Sequence, residues 1–86
     1  MIVTRQAVAE KIAAWLRHDM TLEQLVDWAE NALQEAEFDP AAGSELVEVV
    51  GRLGVADVRA FGLTWVDCET LLQRLGFKAH VDITAA

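Results

Sequence analysis

The stretch that decides the fold is residues 21–37, TLEQLVDWAENALQEAE. Thr21 and Gln24 have the spacing of a capping box, in which each side chain bonds a free backbone N–H at the start of a helix. We therefore predict a helix over 21–37. Its apolar and acidic side chains recur at helical intervals on nearly opposite sides of the axis. The apolar side contains Leu22, Leu25, Ala29, Ala32, Leu33 and Ala36, with Trp28 at its border.

The other side of this helix carries an acidic stripe, which we define as Glu23, Asp27, Glu30 and Glu37. Like charges three or four residues apart weaken a helix by about 0.2–0.5 kcal/mol per pair. Because this cost is repeated, it favours the interpretation that the stripe is a surface that docks a basic protein. The stripe would then contribute steering and specificity more than affinity. The alternative is a solvated face that keeps an acidic protein soluble, aided by Arg17 or Lys11 from the preceding helix.

Length and charge bound the remaining possibilities. The chain has 86 residues and a net charge of −7, and residues 21–40 contain six carboxylates and neither Lys nor Arg. A chain this short buries only about 60–65% of its unfolded surface, which predicts one domain over 1–86. The 53% of hydrophobic residues predicts a folded chain. A negative field repels nucleic-acid phosphates and anionic lipid and favours basic partners.

Hydropathy and cysteine content predict a cytoplasmic protein without membrane contact. The longest uncharged run, residues 60–66, has seven residues, whereas a bilayer span requires roughly 20. Charged residues interrupt the N-terminus, so a secretory signal is not predicted. Cys68 is the sole cysteine, which excludes an intramolecular disulfide and a Cys-rich zinc site.

Four further helices are predicted by apolar periodicity and capping residues, at about 4–17, 40–53, 56–61 and 64–75. Thr4 is the expected cap of the first, and Thr64 is the expected cap of the last. The third begins either at Pro40, with Asp39 as its cap, or at Ser44. Gly54 is expected to end it.

The C-terminal residues 77–83, FKAHVDI, have the alternation of a β-strand. A single strand requires a partner, which would be Met1–Val3, a second copy in a homodimer, or the sheet edge of another protein. The sequence thus predicts a mainly α fold, a small orthogonal or bundle-like array of four to five short helices with one C-terminal strand. The side chains expected to pack in strand pairing are Phe77, Ala79, Val81 and Ile83.

Residues 56–77 resemble the helix-turn-helix of small bacterial regulators, with GLT at 62–64 as the turn. The resemblance departs at Val58, where the motif usually has a smaller residue. It implies DNA binding through a groove-facing surface, but that surface contains one carboxylate and no cation, whereas DNA affinity comes largely from Lys and Arg at phosphates. The sequence therefore argues against nucleic acid and leaves a degenerate helix-turn-helix regulator as the alternative function. The groove-facing positions would be Thr64, Trp65, Val66, Glu69, Thr70 and Gln73.

Trp65 and Val66 occupy the first turn of the last predicted helix. A large aromatic residue there is either an exposed anchor for a partner or a local contact with Phe61. The two interpretations remain open at this point.

The sequence predicts no metal, no cofactor and no catalytic residues. Zinc usually takes at least three protein ligands, and nothing in the sequence brings His18 near His80 and Asp82. The chain has one serine and no tyrosine, so no nucleophile, base and orienting group can be named together. We therefore expect a protein that is not an enzyme.

These observations predict a small acidic protein-interaction module that acts through the acidic stripe, the turn at Trp65 or the C-terminal segment. Its size and acidity are similar to those of inhibitors that shield basic toxins, such as bacteriocin immunity proteins. That similarity implies a basic partner.

Overall fold

The computed structural model describes residues 2–59, 61–81 and 83. In this part of the chain, four α-helices and one two-stranded sheet enclose a single core, which confirms the mainly helical class. The elements in chain order are β1 (Ile2–Val3), α1 (Arg5–Leu16), α2 (Leu22–Glu35), β2 (Glu37–Phe38), α3 (Gly43–Gly54) and α4 (Trp65–Arg74).

Threonine side chains begin three of the helices, as the sequence predicts. Thr4 Oγ1 accepts a hydrogen bond from the backbone N–H of Ala7 at 3.1 Å. Thr21 forms the full capping box: its Oγ1 accepts from the N–H of Gln24 at 3.1 Å, and Gln24 Oε1 accepts from the N–H of Thr21 at 2.9 Å. Thr64 caps α4 in the same way. These caps satisfy backbone donors that a helix start leaves free.

The core is apolar, and in the described residues no charged or polar side chain is buried in it. The most extensive helix contact joins α2 to α3, and α1 and α4 pack beside them. Burial of each aliphatic side chain contributes about 1.5–3 kcal/mol, so this packing is the main source of stability. The largest fully buried side chains include Ile12, Leu25, Leu46, Leu53 and Leu75.

The prediction that the second helix extends to Glu37 is wrong. Ala36 has an extended conformation with ψ 154°, and Glu37 lies in β2, which pairs in parallel with β1. Ile2 is opposite Glu37 and Val3 is opposite Phe38. Because the chain is extended after α2, the backbones of β1 and β2 can form hydrogen bonds with each other. Val3 is buried beneath this pair and is 1% exposed.

The C-terminal strand predicted over 77–83 is not formed in the described residues, and Asp82 lies outside them. One of its predicted partners, the N-terminal strand, is already paired with β2, and a strand without a neighbour has no ladder to stabilise it. The chain instead leaves α4 through Gly76, which has φ 88°. The N–H of Phe77 then donates to the carbonyl of Leu72 at 2.9 Å.

The helix predicted over 56–61 is also not formed in the residues of that range that the structure describes. The described residues there make successive turns, with the N–H of Val58 donating to Val55 at 3.0 Å and that of Phe61 donating to Val58 at 2.9 Å, while Ala60 lies outside the described residues. A segment this short gains few helical hydrogen bonds against the cost of nucleation, so it needs tertiary packing to form a helix. Gly62, with φ 62°, ends the turns before the cap of α4.

The third helix begins at Gly43, next to the later of its two predicted starts. Asp39 does not cap it, because its Oδ1 accepts from the N–H of Ala41 at 3.0 Å and forms a turn. The helix ends at Gly54, the residue predicted to stop it, and Val55 follows as its C-cap. No helix among the described residues has both the length and the apolar character needed to span a membrane.

Candidate binding surfaces

The helical part of the acidic stripe is a solvent-facing row on α2. Glu23, Asp27 and Glu30 are all exposed, because the opposite side of this helix packs on α3. Glu37 is exposed as well, but it extends the row from β2 and not from the helix. The structure therefore places all four predicted stripe residues at the surface, three of them on one element.

No cation in the described residues neutralises this stripe. Among the described residues, no side-chain nitrogen of Lys, Arg or His lies within 4.0 Å of a carboxylate oxygen of the acidic stripe. The aliphatic part of Glu30 lies beside Gly54, near the C-terminal end of α3. The free carbonyls of a helix end carry partial negative charge, so the surroundings of Glu30 favour a cation that the described chain does not supply.

The two cations expected to lie across the stripe have other contacts. Lys11 places its Nζ 5.7 Å from the centre of the Trp28 ring, a cation–π contact. Arg17 pairs with Asp19, with 3.2 Å between Nε and Oδ2. Neither Arg17 nor Lys11 therefore forms an ion pair with the stripe in the described residues.

Two further arginines hold α3 to the last helix. Arg74 forms ion pairs with Glu45 and Glu48 of α3, and these pairs raise the pKa of its guanidinium. Arg52 of α3 places Nη2 3.4 Å from Oδ2 of Asp67. Both arginines thus pair with carboxylates across the contact between α3 and α4.

Trp65 and Val66 form the exposed first turn of α4. Trp65 is 37% exposed and Val66 63% exposed. Phe61, the expected local contact of Trp65, lies against the guanidinium of Arg52 with 5.9 Å from Cζ to the ring centre. Trp65 instead forms part of the wall of a groove.

This groove lies between α1, α4 and the C-terminal segment 77–81, and its volume is about 630 Å³. It was not predicted from the sequence. Ala9 and Ala13, one turn apart on α1, are the signal that could have indicated it, since small side chains one turn apart leave space for a neighbour. The apolar wall includes Ala9, Ala13, Leu16, Trp65, Leu72 and Phe77.

Of the four side chains predicted for strand pairing, three lie at the surface and one contacts the core. Phe77, Val81 and Ile83 are exposed, whereas Ala79 packs against the core. No backbone–backbone hydrogen bond in the described part involves Lys78, Ala79 or Val81. Lys78, Ala79 and Val81 thus lie along one side of the groove without a backbone hydrogen bond in the described residues.

The remaining chemically active side chains are not brought together. Cys68 is fully buried, and burial raises the pKa of its thiol to about 11, with a further contribution from Asp67. A thiol with so high a pKa stays protonated near neutral pH and is a poor nucleophile. Within the described ranges, no three His, Cys, Asp or Glu residues are placed to hold a metal ion.

The helix-turn-helix resemblance is not supported by the observed elements. Its first helix is replaced by turns, and ten residues separate α3 from α4. Thr64, Thr70 and Gln73 are exposed, as the resemblance implies, but they lie beside the exposed Trp65 and Val66 with no cation among them. No protein-family model matches the chain, and comparisons with curated proteins and with solved structures give no significant similarity.

Proposed function

We propose that this chain is a small acidic interaction module, not an enzyme, that binds a basic protein through the acidic stripe, in the manner of an inhibitor or immunity protein. The observation that carries the proposal is the exposure of Glu23, Asp27 and Glu30 without a neutralising cation in the described residues. A cytoplasmic location is part of the same proposal.

Electrostatic cost supports this interpretation. Glu23 and Asp27 are four residues apart and Asp27 and Glu30 three apart, so each pair repels along one side of α2. A partner that places Lys or Arg along the row removes this repulsion and adds attraction. Such complementary charges raise the association rate and select against acidic partners.

The experiment is affinity capture with three forms of the chain: the wild type, a stripe variant and a charge-matched control. The stripe variant is Glu23→Gln, Asp27→Asn, Glu30→Gln. Proteins held by the wild type are identified by mass spectrometry, purified and titrated by calorimetry. Three exposed ion pairs at about 0.2–1 kcal/mol each predict a loss of roughly tenfold in affinity for the stripe variant.

The control removes the same number of charges elsewhere, by Glu10→Gln, Asp57→Asn and Glu69→Gln. It should retain the wild-type affinity and the same steep decrease in binding at high salt. Equal losses of affinity in the two variants would mean that the partner responds to the total surface charge and not to the stripe. Retention of binding by the stripe variant would overturn the proposal.

We also propose homodimerisation as a role of the C-terminal segment. Val81 supports it, because its side chain is exposed and its backbone makes no hydrogen bond in the described residues, and a strand-like segment can pair with its copy across a two-fold axis. Light scattering tests it with Val81→Pro, which removes a backbone donor, and Val81→Thr, which keeps it. A dimer lost only in the proline variant supports pairing, and a wild-type chain that stays monomeric when concentrated contradicts it.

A further inference from the structure

We propose that the groove between α1, α4 and segment 77–81 binds a small anionic amphiphile, a carboxylic acid with a medium-length alkyl chain. This site is separate from the acidic stripe and does not depend on the function proposed for it. The proposal rests on the size of the groove, the character of its walls and the charge at its edge.

The size and the walls suit an alkyl chain. A volume of about 630 Å³ lies within the roughly 300–1,000 Å³ that small-molecule sites occupy. Trp65 and Phe77 remain 37% and 40% exposed, so both rings retain apolar surface that a ligand can cover. Leu16 and Leu72 add aliphatic surface. Predominantly apolar walls with a few polar groups are typical of ligand sites.

The charge at the edge selects an anion. The groove is lined by the cations Arg17 and Lys78 and by one carboxylate, Glu10, in a protein whose net charge is −7. Lys78 has no ion pair in the described part of the chain. Arg17 pairs with Asp19, but both side chains are about two-thirds exposed, at 66% and 65%, and such pairs are weak. A ligand carboxylate can therefore reach Lys78 while its chain lies on the aromatic walls.

The test is an NMR titration of the full chain with sodium decanoate below its micelle-forming concentration, with 1-decanol as the uncharged probe. Decanoate should shift the signals of Ala13, the Trp65 indole and Lys78, and saturate. Each methylene added between octanoate and decanoate should raise affinity about two- to fourfold. Shifts scattered over the surface, or shifts without chain-length dependence, would overturn the proposal.

Two pairs of variants locate the site. Ala13→Leu fills the groove and should abolish the saturable shifts, whereas Ala14→Leu, one position along the same helix and outside the groove, should not. Lys78→Gln should weaken decanoate about two- to fivefold without changing decanol, whereas Arg59→Gln, which removes a cation outside the groove, should change neither. Because Lys78 is exposed, its variant keeps the test decisive even if Ala13→Leu fails to fold.

The outcomes also separate this site from the acidic stripe. The stripe variant should bind decanoate as the wild type does, because none of its three positions lines the groove. Equal weakening of decanol and decanoate by Lys78→Gln would refute recognition of the carboxylate. A dimer that forms through the groove and is not displaced by decanoate would show that a second copy is the occupant, and would overturn the proposal.

Discussion

Asp67 links the start of α4 to α3. Its Oδ2 accepts a hydrogen bond from the backbone N–H of Thr64 at 2.9 Å and lies 3.4 Å from Nη2 of Arg52. The Arg52 guanidinium in turn lies against the ring of Phe61. One carboxylate thus closes the capping box of α4 and pairs with the arginine that lies against Phe61. The backbone and side chain of Thr64, followed by the charge of Arg52, lower the pKa of Asp67.

The lowered pKa of Asp67 predicts a pH-dependent contribution to stability. A carboxyl group with a lowered folded pKa stabilises the fold above its unfolded pKa of about 4, and this contribution is lost as pH falls through the folded value. Asp67→Asn should therefore lower the urea midpoint of unfolding at about pH 7, and the difference from the wild type should narrow by about pH 3. Glu69→Gln on the same helix is the control and should show no such narrowing. An Asp67→Asn difference that is the same at both pH values would contradict the role of its charge.

Residue-scale contacts could be predicted from the sequence only where they are local. The caps at Thr4, Thr21 and Thr64 involve residues three positions apart, so spacing alone identifies them. The ion pair of Arg52 spans 15 positions and that of Arg74 with Glu45 spans 29. No sequence pattern specifies such pairs, because they depend on how α3 packs against α4.

At the scale of elements, substitution of glycine by alanine should stabilise the fold at two positions in α3 and destabilise it at a third position after α4. Gly51→Ala and Gly54→Ala should each stabilise the chain by about 0.5–1 kcal/mol, because alanine has the higher helix propensity and restricts the unfolded chain. A Cβ at Gly51 meets nothing within 4 Å, and one at Gly54 meets Leu33 Cδ1 at an ordinary 3.7 Å. Gly76→Ala should destabilise by about 1–2 kcal/mol, because φ is 88° there and an L-residue is strained in that region.

Thermal unfolding followed by circular dichroism measures these three changes. Gly62→Ala is a second positive-φ comparison, since φ is 62° at that position and it too should destabilise. A loss of stability in Gly54→Ala would mean that α2 and α3 pack too closely to accept a methyl group. Tolerance of Gly76→Ala would mean that the chain can leave α4 by another route.

Elements could be predicted where one segment contains both the amphipathic pattern and the caps. The α2 segment satisfies both conditions, and only its end was predicted wrongly. That end is set by β1, which is remote in sequence and pairs with Glu37 and Phe38. The same strand, β1, pairs with β2 and not with the C-terminal segment in the described residues. Periodicity identifies a strand-like segment but does not specify its neighbour, and this limit explains both errors.

At the scale of the whole molecule, favourable and unfavourable charge contacts occupy different elements. Attractive pairs join α3 to α4 through Arg52 and Arg74. Residues 21–40, by contrast, contain six carboxylates and no Lys or Arg. The exposed acidic stripe could be predicted to this extent from charge distribution alone. The groove could not, because it is formed by α1, α4 and segment 77–81 only after they fold together.

This separation of charge predicts that salt stabilises the free protein. Screening weakens both the repulsion along the acidic stripe and the exposed ion pairs, but each exposed pair contributes only about 0–1 kcal/mol, whereas repulsion acts across a net charge of −7. Raising NaCl from about 20 mM to about 500 mM should therefore raise the melting temperature by about 2–5 °C. The stripe variant Glu23→Gln, Asp27→Asn, Glu30→Gln should melt higher at low salt and gain less from added salt. A melting temperature that falls with salt would mean that the attraction of the ion pairs between α3 and α4 outweighs the repulsion. The acidic stripe would then lack the repulsion that a basic partner is proposed to relieve.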